Sequence, residues 1–303
     1  MPNFKRSVLL YNGQAGASTQ DSIIAMAAPA LAAVSSKLEL IQTNSPEELR
    51  DVCKELPMDV EALFVAGGDG TIHEAIQALS EAPSPPPLGI IPSGTCNDFA
   101  RTLAIPMDLT LAVEALVDGT IEDIDAASIN GHSFLNFAGI GIITDASTNI
   151  DTQLKERYGK LSYFMSGLQS MRQTEPFPIH LTIDGVEHEE SGVLALAMNG
   201  KSIGTHSFPM DSIDPSDGLL DVFIIQTSSI AAILEWFSLS KPDVLIEELA
   251  HIRHYQGKRI SIVTDAPMDI DTDGEIYLKT PAEIEVLPKK LKMFVPRPAE
   301  SLG

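Results

Sequence analysis

Cysteine is scarce in this chain: Cys53 and Cys96 are the only two among 303 residues. Two thiols so far apart exclude a disulfide framework and a thiolate zinc site, and they suit a reducing cytoplasm. Basic residues are scarce too. Twenty lysines and arginines face 42 aspartates and glutamates, a formal net charge of −22. Such a surface repels phosphate backbones and anionic headgroups, which excludes nucleic acid as a partner held by broad electrostatic attraction. A membrane would have to be met through local features. Long apolar runs are missing as well: the stretch Ser22–Ser36 holds Pro29 and falls short of the ~20 residues of a spanning helix. The apolar residues before Asn12-Gly13-Gln14 are too few for a signal-peptide core. Neither a Gly-x-Ser-x-Gly elbow nor a His-Glu-x-x-His zinc pair occurs, so the common hydrolase machineries are excluded.

What is present is an ordinary globular composition, 44% hydrophobic and 20% charged, in a chain long enough for two domains. The first third alternates in period. Strands are expected at Ser7–Tyr11, Leu38–Gln42, Ala62–Ala66 and Leu88–Ile91, and helices at Ser18–Ser36, Thr71–Ser80, Asn97–Leu103 and Asp108–Val117. A further helix opens at Ser45-Pro46-Glu47-Glu48, where an N-cap serine, a proline at the first helical position and a glutamate form a capping box. This rhythm predicts an α/β domain with a doubly wound, mostly parallel sheet. From Ile121 the rhythm changes to short apolar runs joined by Asn130-Gly131, Asp184-Gly185 and Asp273-Gly274, the dipeptides favoured in tight hairpins. That predicts a mainly antiparallel β-sandwich with helical inserts at Thr144–Arg157, Lys160–Gln173, Ser229–Leu239 and Pro242–Leu249. The expected boundaries are 1–122 for the first domain and 123–290 for the second, with 291–303 returning to the first.

Two loops carry the chemistry. Phe64-Val65-Ala66-Gly67-Gly68-Asp69-Gly70-Thr71-Ile72-His73 runs from an apolar strand through a glycine turn into a helix start. Glycines let backbone N–H groups approach a polyphosphate, and the helix aims its positive end at the same anion. Asp69 beside phosphates calls for a divalent cation between them. The segment Asn12, Gly13, Gln14, Ala15, Gly16 after the first strand is a second candidate backbone cradle. A second strand ends in Pro92-Ser93-Gly94-Thr95-Cys96-Asn97-Asp98-Phe99-Ala100-Arg101, and neighbouring strand ends in an open sheet line one crevice.

These two motifs together resemble the bacterial diacylglycerol kinase and lipid kinase family. The resemblance implies an ATP-dependent, Mg²⁺-requiring transfer of a phosphoryl group to the hydroxyl of diacylglycerol or a related lipid alcohol. It implies that Thr43 and Thr95 contact the nucleotide. In Asp214-Pro215-Ser216-Asp217-Gly218-Leu219 it implies that Asp214, Asp217 and the Leu219 carbonyl bind a structural Mg²⁺, linked through water to Asp69 and Asp98 in a cleft between the two domains. In Asp271-Thr272-Asp273-Gly274-Glu275 it implies that Asp273 is the general base, with Glu275 orienting it or touching the nucleotide. A carboxylate is a weak base toward an alcohol, so placement must supply its effect. The acting protein is then cytoplasmic and peripheral at the inner membrane surface in transient contact, with a homodimer left open.

Rival readings remain. An acidic turn capping a strand would also explain Asp214 and Asp217. An EF-hand reading of Asp269, Asp271 and Asp273 fails because Thr280 stands where a bidentate glutamate is required. The first motif alone also suits NAD kinases, and a nucleotide-sensing protein without turnover would keep the same cradle. The segment Asn199–Pro209 departs from the family's paired glycine before Ala-Pro, position 73 is His where Asn is common, and Asn12-Gly13 replaces Asn-Pro. Phe134, Phe137, Phe164, Met165 and Met171 are candidates for an apolar acceptor pocket, although such spacings serve a core equally well.

Overall fold

Strands that read as uninterrupted apolar runs become the centre of a parallel sheet in the computed structural model, which describes residues 3–13, 17–141, 175–204, 206–207, 213–238 and 249–297. The chain divides into two units, 1–124 with 289–303, and 125–288. The first unit begins β1 (Phe4–Asn12), α1 (Ala17–Ala33), β2 (Ser35–Thr43), α2 (Pro46–Lys54), β3 (Ala62–Gly67), α3 (Asp69–Glu81), β4 (Leu88–Pro92), α4 (Asp98–Thr102) and α5 (Leu109–Val117). β1 pairs in parallel with both β2 and β3, and β3 with β4. Every residue of β3 and β4 is buried, as strands covered on both faces require.

The helix expected through Ser36 ends at Ala33. The reason is pairing: Phe4 faces Ser35 and Arg6 faces Lys37 in the β1–β2 ladder, and buried Ser7 and Ser35 join their hydroxyls at 2.6 Å. Helix α2 starts as its sequence predicts, with Ser45 Oγ accepting from the Glu48 N–H at 3.1 Å. The return bond of the box lands one residue earlier, from the Asn44 N–H to Glu48 at 2.7 Å. From β1 the chain crosses to β2 on one side and then to β3 on the other. The topological switch therefore lies between the carboxyl ends of β1 and β3, where ligands of such sheets bind.

The second unit is antiparallel. Its elements are β5 (Thr120–Ile129, entering from the first unit), β6 (His132–Phe134), β7 (Phe137–Gly141), β8 (Phe177–Ile183), β9 (Val186–Gly192), β10 (Leu194–Met198), β11 (Ser202–Ile203), β12 (His206–Ser207), β13 (Leu220–Ile225), α6 (Ile230–Ser238), β14 (Ile252–Gly257), β15 (Arg259–Val263), β16 (Asp269–Thr272), β17 (Glu275–Lys279) and β18 (Ala282–Val295). One sheet runs β14-β13-β10-β7-β16-β17. Against it pack β8, β15 and the start of β18. The core between them holds Ile140, Ala197 and Val222 from the six-stranded sheet, and Leu181, Ile183, Ile260 and Ile284 from the strands opposite. The other face of the six-stranded sheet packs Leu194, Leu196 and Phe223 on Trp236 of α6. The chain is thus an α/β domain followed by an antiparallel β-sandwich.

All three predicted hairpin dipeptides carry positive φ at both residues, Asn130-Gly131 at 49° and 85°, Asp184-Gly185 at 49° and 85°, and Asp273-Gly274 at 52° and 94°. Strands β9 and β14 escape sequence reading because they are sheet edges with polar, outward-facing residues. The expected helices at 144–157 and 160–173 and most of that at 242–249 lie outside the described residues, as do Gln14, Ala15, Gly16, Phe164, Met165 and Met171.

The last strand passes back into the first unit, where Met293 faces Leu88 in parallel register and Phe294 stacks on Phe64 at 5.1 Å. Both rings are buried. Replacing Phe294 by alanine is expected to destabilise the protein by about 3–5 kcal/mol, read as a lowered urea midpoint; a loss below about 1 kcal/mol would show that the returning strand contributes little.

Candidate functional site

At the carboxyl end of β3, Gly68 is the N-cap of α3 and supplies no side-chain cap. The first turn of that helix, without a side-chain cap from Gly68, therefore suits an anion. Two glycines explain how the second loop comes so near. A Cβ on Gly68 would lie 3.0 Å from the Gly94 Cα, and one on Gly94 would run into the Gly68 Cα more closely still. The loops touch backbone to backbone, and a methyl group at position 94 would push them apart.

Asp69 locks this contact. Its Oδ1 accepts the Asp98 N–H at 2.6 Å and its Oδ2 the Asn97 N–H at 2.9 Å. Asp69 thereby holds the start of α4, a role that its sequence neighbours do not reveal. Asn97 takes a left-handed φ of 52°, and its side-chain amide pairs in both directions with Gly94, each bond 2.9 Å. Asp98 is buried, while Thr95 is exposed at the loop tip. The side chains of Ile72 and His73 are also buried, and the Ile72 N–H donates to the Gly68 carbonyl at 3.0 Å, so the part that can meet a ligand is the helix start ahead of them. Near the end of β1, the Gly13 N–H donates to the Thr43 carbonyl at 2.7 Å, and Gln20 Nε2 donates to the Gly13 carbonyl at 2.6 Å. Asn12 faces Thr43 in register. The first unit thus brings Asn12, Gly13 and Thr43 to one set of strand ends, and Gly67–His73 with Thr95 and Asp98 to another beside it.

In the second unit the acidic turn wraps around a buried aspartate. Asp125 is fully buried; its N–H donates to the Pro215 carbonyl and its Oδ2 accepts the Gly218 N–H, both at 2.7 Å. Asp214 Oδ1 accepts from the Ser216 N–H and hydroxyl, and Asp217 Oδ1 accepts the Leu219 N–H at 2.8 Å. Each of Asp214 and Asp217 keeps a second carboxylate oxygen outside these bonds. Partial burial, joined by the like charges of Asp214, Asp221 and Asp125, pushes the Asp217 carboxyl above the usual carboxylate range. A group whose folded pKa is raised binds its proton more tightly when folded. Its cost is therefore absent in acid and sets in as pH rises through the carboxylate range. Among the described residues no set of three or more His, Cys, Asp or Glu side chains is arranged around a metal. Two carboxylates in mutual repulsion, with the Leu219 carbonyl two residues beyond the second, nevertheless suit a hard divalent cation that takes oxygen ligands and keeps several waters. The residues present fit Mg²⁺.

Asp273 is held by the main chain. Its Oδ2 accepts the Leu135 N–H at 2.9 Å, and its Oδ1 accepts the N–H groups of Asn136 and Phe137 at 2.9 and 3.0 Å. Its own N–H returns to the Phe137 carbonyl at 3.1 Å. These bonds fix where it stands, and the hairpin with it. The sequence supplies the residue but none of these partners. Two residues on, Glu275 is exposed on the edge strand β17, and among the described residues its side chain makes no such anchoring bond.

Known proteins match both parts of the chain. Residues 6–129 match the diacylglycerol kinase catalytic domain, and residues 138–295 match the YegS C-terminal NAD kinase beta sandwich-like domain. The chain is 31% identical over 296 residues to a protein of Staphylococcus aureus strain JH9 named "Putative lipid kinase", spanning 96% of this chain and 97% of that one, and equally to a namesake in strain MRSA252. A crystal structure described as a "putative diacylglycerol kinase" from Bacillus anthracis str. Sterne superposes with a TM-score of 0.89 at 32% identity, covering 98% of this chain and 99% of that one. A second structure of that description gives 0.85.

Two outcomes follow from the geometry. Gly94→Ala is expected to weaken ATP binding at least about tenfold by calorimetry, because the methyl group separates the two loops; unchanged affinity would contradict the contact argument. Asp217→Asn, assayed by thermal denaturation in EDTA at pH 7, is expected to raise Tm by about 1–2 °C, as relief of an exposed like-charge repulsion of under about 1 kcal/mol allows. The same variant is expected to lose the Tm gain that Mg²⁺ gives the unsubstituted protein, and a gain that survives would place the cation elsewhere.

Proposed function

The chain belongs to the lipid kinase family built on the diacylglycerol kinase catalytic domain, and from that premise we propose that it transfers the γ-phosphate of ATP to the hydroxyl of diacylglycerol or a related lipid alcohol. The observation that carries the nucleotide half of this reading is the N-terminus of α3, without a side-chain cap, at the switch point of the parallel sheet. Its backbone N–H groups at Gly68–Thr71 receive the phosphates, with Asn12, Gly13, Thr43 and Thr95 completing the nucleotide contacts.

In the reaction the acceptor hydroxyl gives its proton to a carboxylate, its oxygen forms the new bond to the γ-phosphorus, and the bond to the β-phosphate oxygen breaks to release ADP. Asp273 is the base in this reading. Its fixed position suits that role, because in a loose transition state the attacking oxygen loses its proton late and placement outweighs base strength. Glu275, exposed and unanchored at the same hairpin, is the rival carboxylate. Asp214, Asp217 and the Leu219 carbonyl would hold a Mg²⁺, whose charge would neutralise the acidic turn. No helix among the described residues is long and apolar enough to cross a membrane; in this reading the lipid is reached by transient contact at the inner membrane surface from the cytoplasm. The likeness of the second unit to an NAD kinase sandwich favours one alternative acceptor, NAD.

Purified protein with γ-labelled ATP, Mg²⁺ and a panel of diacylglycerol, ceramide, other lipid alcohols and NAD decides between them. Label in a lipid supports the proposal, and label in NAD alone overturns it. Asp273→Asn is expected to lower kcat by about 10²–10⁴-fold in protein that still binds ATP. Because it turns an amide toward backbone donors, it also costs about 1–3 kcal/mol of stability. Glu275→Gln is expected to hold kcat within about tenfold of the unsubstituted protein, with Tm nearly unchanged. A folded Glu275→Gln protein that suffers the larger loss would move the base to Glu275.

A further inference from the structure

One buried side chain joins the acidic turn to the hairpin that carries Asp273. Asn199 follows β10 and is 1% exposed. Its Nδ2 donates to the Asp125 carbonyl at 3.1 Å and to the Leu135 carbonyl at 2.7 Å. On one side, Asp125 holds the acidic turn through Pro215 and Gly218. On the other, Leu135, Asn136 and Phe137 supply the three N–H groups that anchor Asp273. The backbone of Asn199 takes part too, since its N–H and that of Gly200 both donate to the Asn136 carbonyl at 2.9 Å.

The sheet explains why one residue can reach both. Asp221 faces Met198, Met198 faces Phe137, and Thr272 faces Ala138, so the start of β13, the end of β10, the start of β7 and the end of β16 share one end of the sheet. Three inter-strand steps of about 4.8 Å separate the acidic turn from the hairpin, and Asn199 sits between them. The chemistry of the site calls for a doubly donating amide. Both acceptors are carbonyls, so the amide cannot flip, and aspartate there would set a carboxylate against two carbonyl oxygens. Oδ1 has no hydrogen-bond partner among the described residues, a cost that the side chain bears in this orientation.

We propose that Asn199 is a positioning residue that transmits cation occupancy at Asp214 and Asp217 to the placement of the Asp273 hairpin. The inference rests on the cation and base assignments made above. It is tested on the full chain by hydrogen exchange of the backbone amides of 135–137 and 271–275 with and without Mg²⁺, beside calorimetric Mg²⁺ binding. In the unsubstituted protein Mg²⁺ is expected to slow exchange in both segments by at least about threefold, and in Asp217→Asn to leave it unchanged. In Asn199→Ala, Mg²⁺ affinity is expected to stay within about threefold while the slowing in 271–275 is lost. An equal response in Asn199→Ala, or Mg²⁺ binding without any response in the unsubstituted hairpin, overturns the relay. Should Asn199→Ala fail to fold, the comparison with Asp217→Asn still decides whether the turn and the hairpin are coupled. Absence of Mg²⁺ binding in the unsubstituted protein instead removes the cation assignment, and the relay with it.

Discussion

Backbone N–H groups converging on aspartate carboxylates are the interaction on which both candidate site regions depend. With 42 acidic and 20 basic side chains, at least half of the carboxylates in this chain have no basic residue of their own to pair with. Those at the structural joints are held by the main chain: Asp69 by Asn97 and Asp98, Asp125 by Gly218, and Asp273 by Leu135, Asn136 and Phe137. Charge-assisted bonds of this kind are about twice as strong as neutral ones. They also fix geometry on both sides, because a carboxylate that accepts from consecutive amides determines the course of the loop that offers them.

The consequence differs in the two units. In the first, the Asp69 clamp and the Gly68–Gly94 contact leave one helix start open and bring a second loop against it, a surface of N–H groups suited to phosphate. In the second, Asp125 shapes the turn that bears Asp214 and Asp217, whose remaining oxygens suit a cation. Asp273 is fixed in the same way: the amides that hold it set both the hairpin and its carboxylate in one place. In the proposed reaction such a group would contribute by position, which is the contribution phosphoryl transfer chiefly needs.

Much of the fold was legible in the sequence. The change of period at Ile121 separated parallel from antiparallel sheet, and each of the three X-Gly dipeptides formed its hairpin with both φ angles positive. The helix expected to reach Ser36 failed because cross-strand pairing to β1 outweighed the helical preference of an alanine-rich segment. Polar edge strands such as β9 carried no apolar alternation to betray them. Site residues were legible as residues but less so as contacts. Asp69 and Asp273 stand in conspicuous glycine turns, yet their partners lie 28 and 137 positions away, beyond the reach of local pattern. Asn199 was legible only as the start of the divergent segment Asn199–Pro209, since its meaning comes from two carbonyls 64 and 74 residues distant.

The claim that organises the rest is that phosphates are received by main-chain donors which Asp69 holds in place without itself contacting the nucleotide. A crystal structure of the protein with Mg²⁺ and a non-hydrolysable ATP analogue tests it most directly. The account predicts phosphate oxygens within about 3.2 Å of N–H groups in Gly68–Thr71, with Asp69 still bonded to the amides of Asn97 and Asp98. Phosphates bound elsewhere, or an Asp69 released from α4, would contradict it.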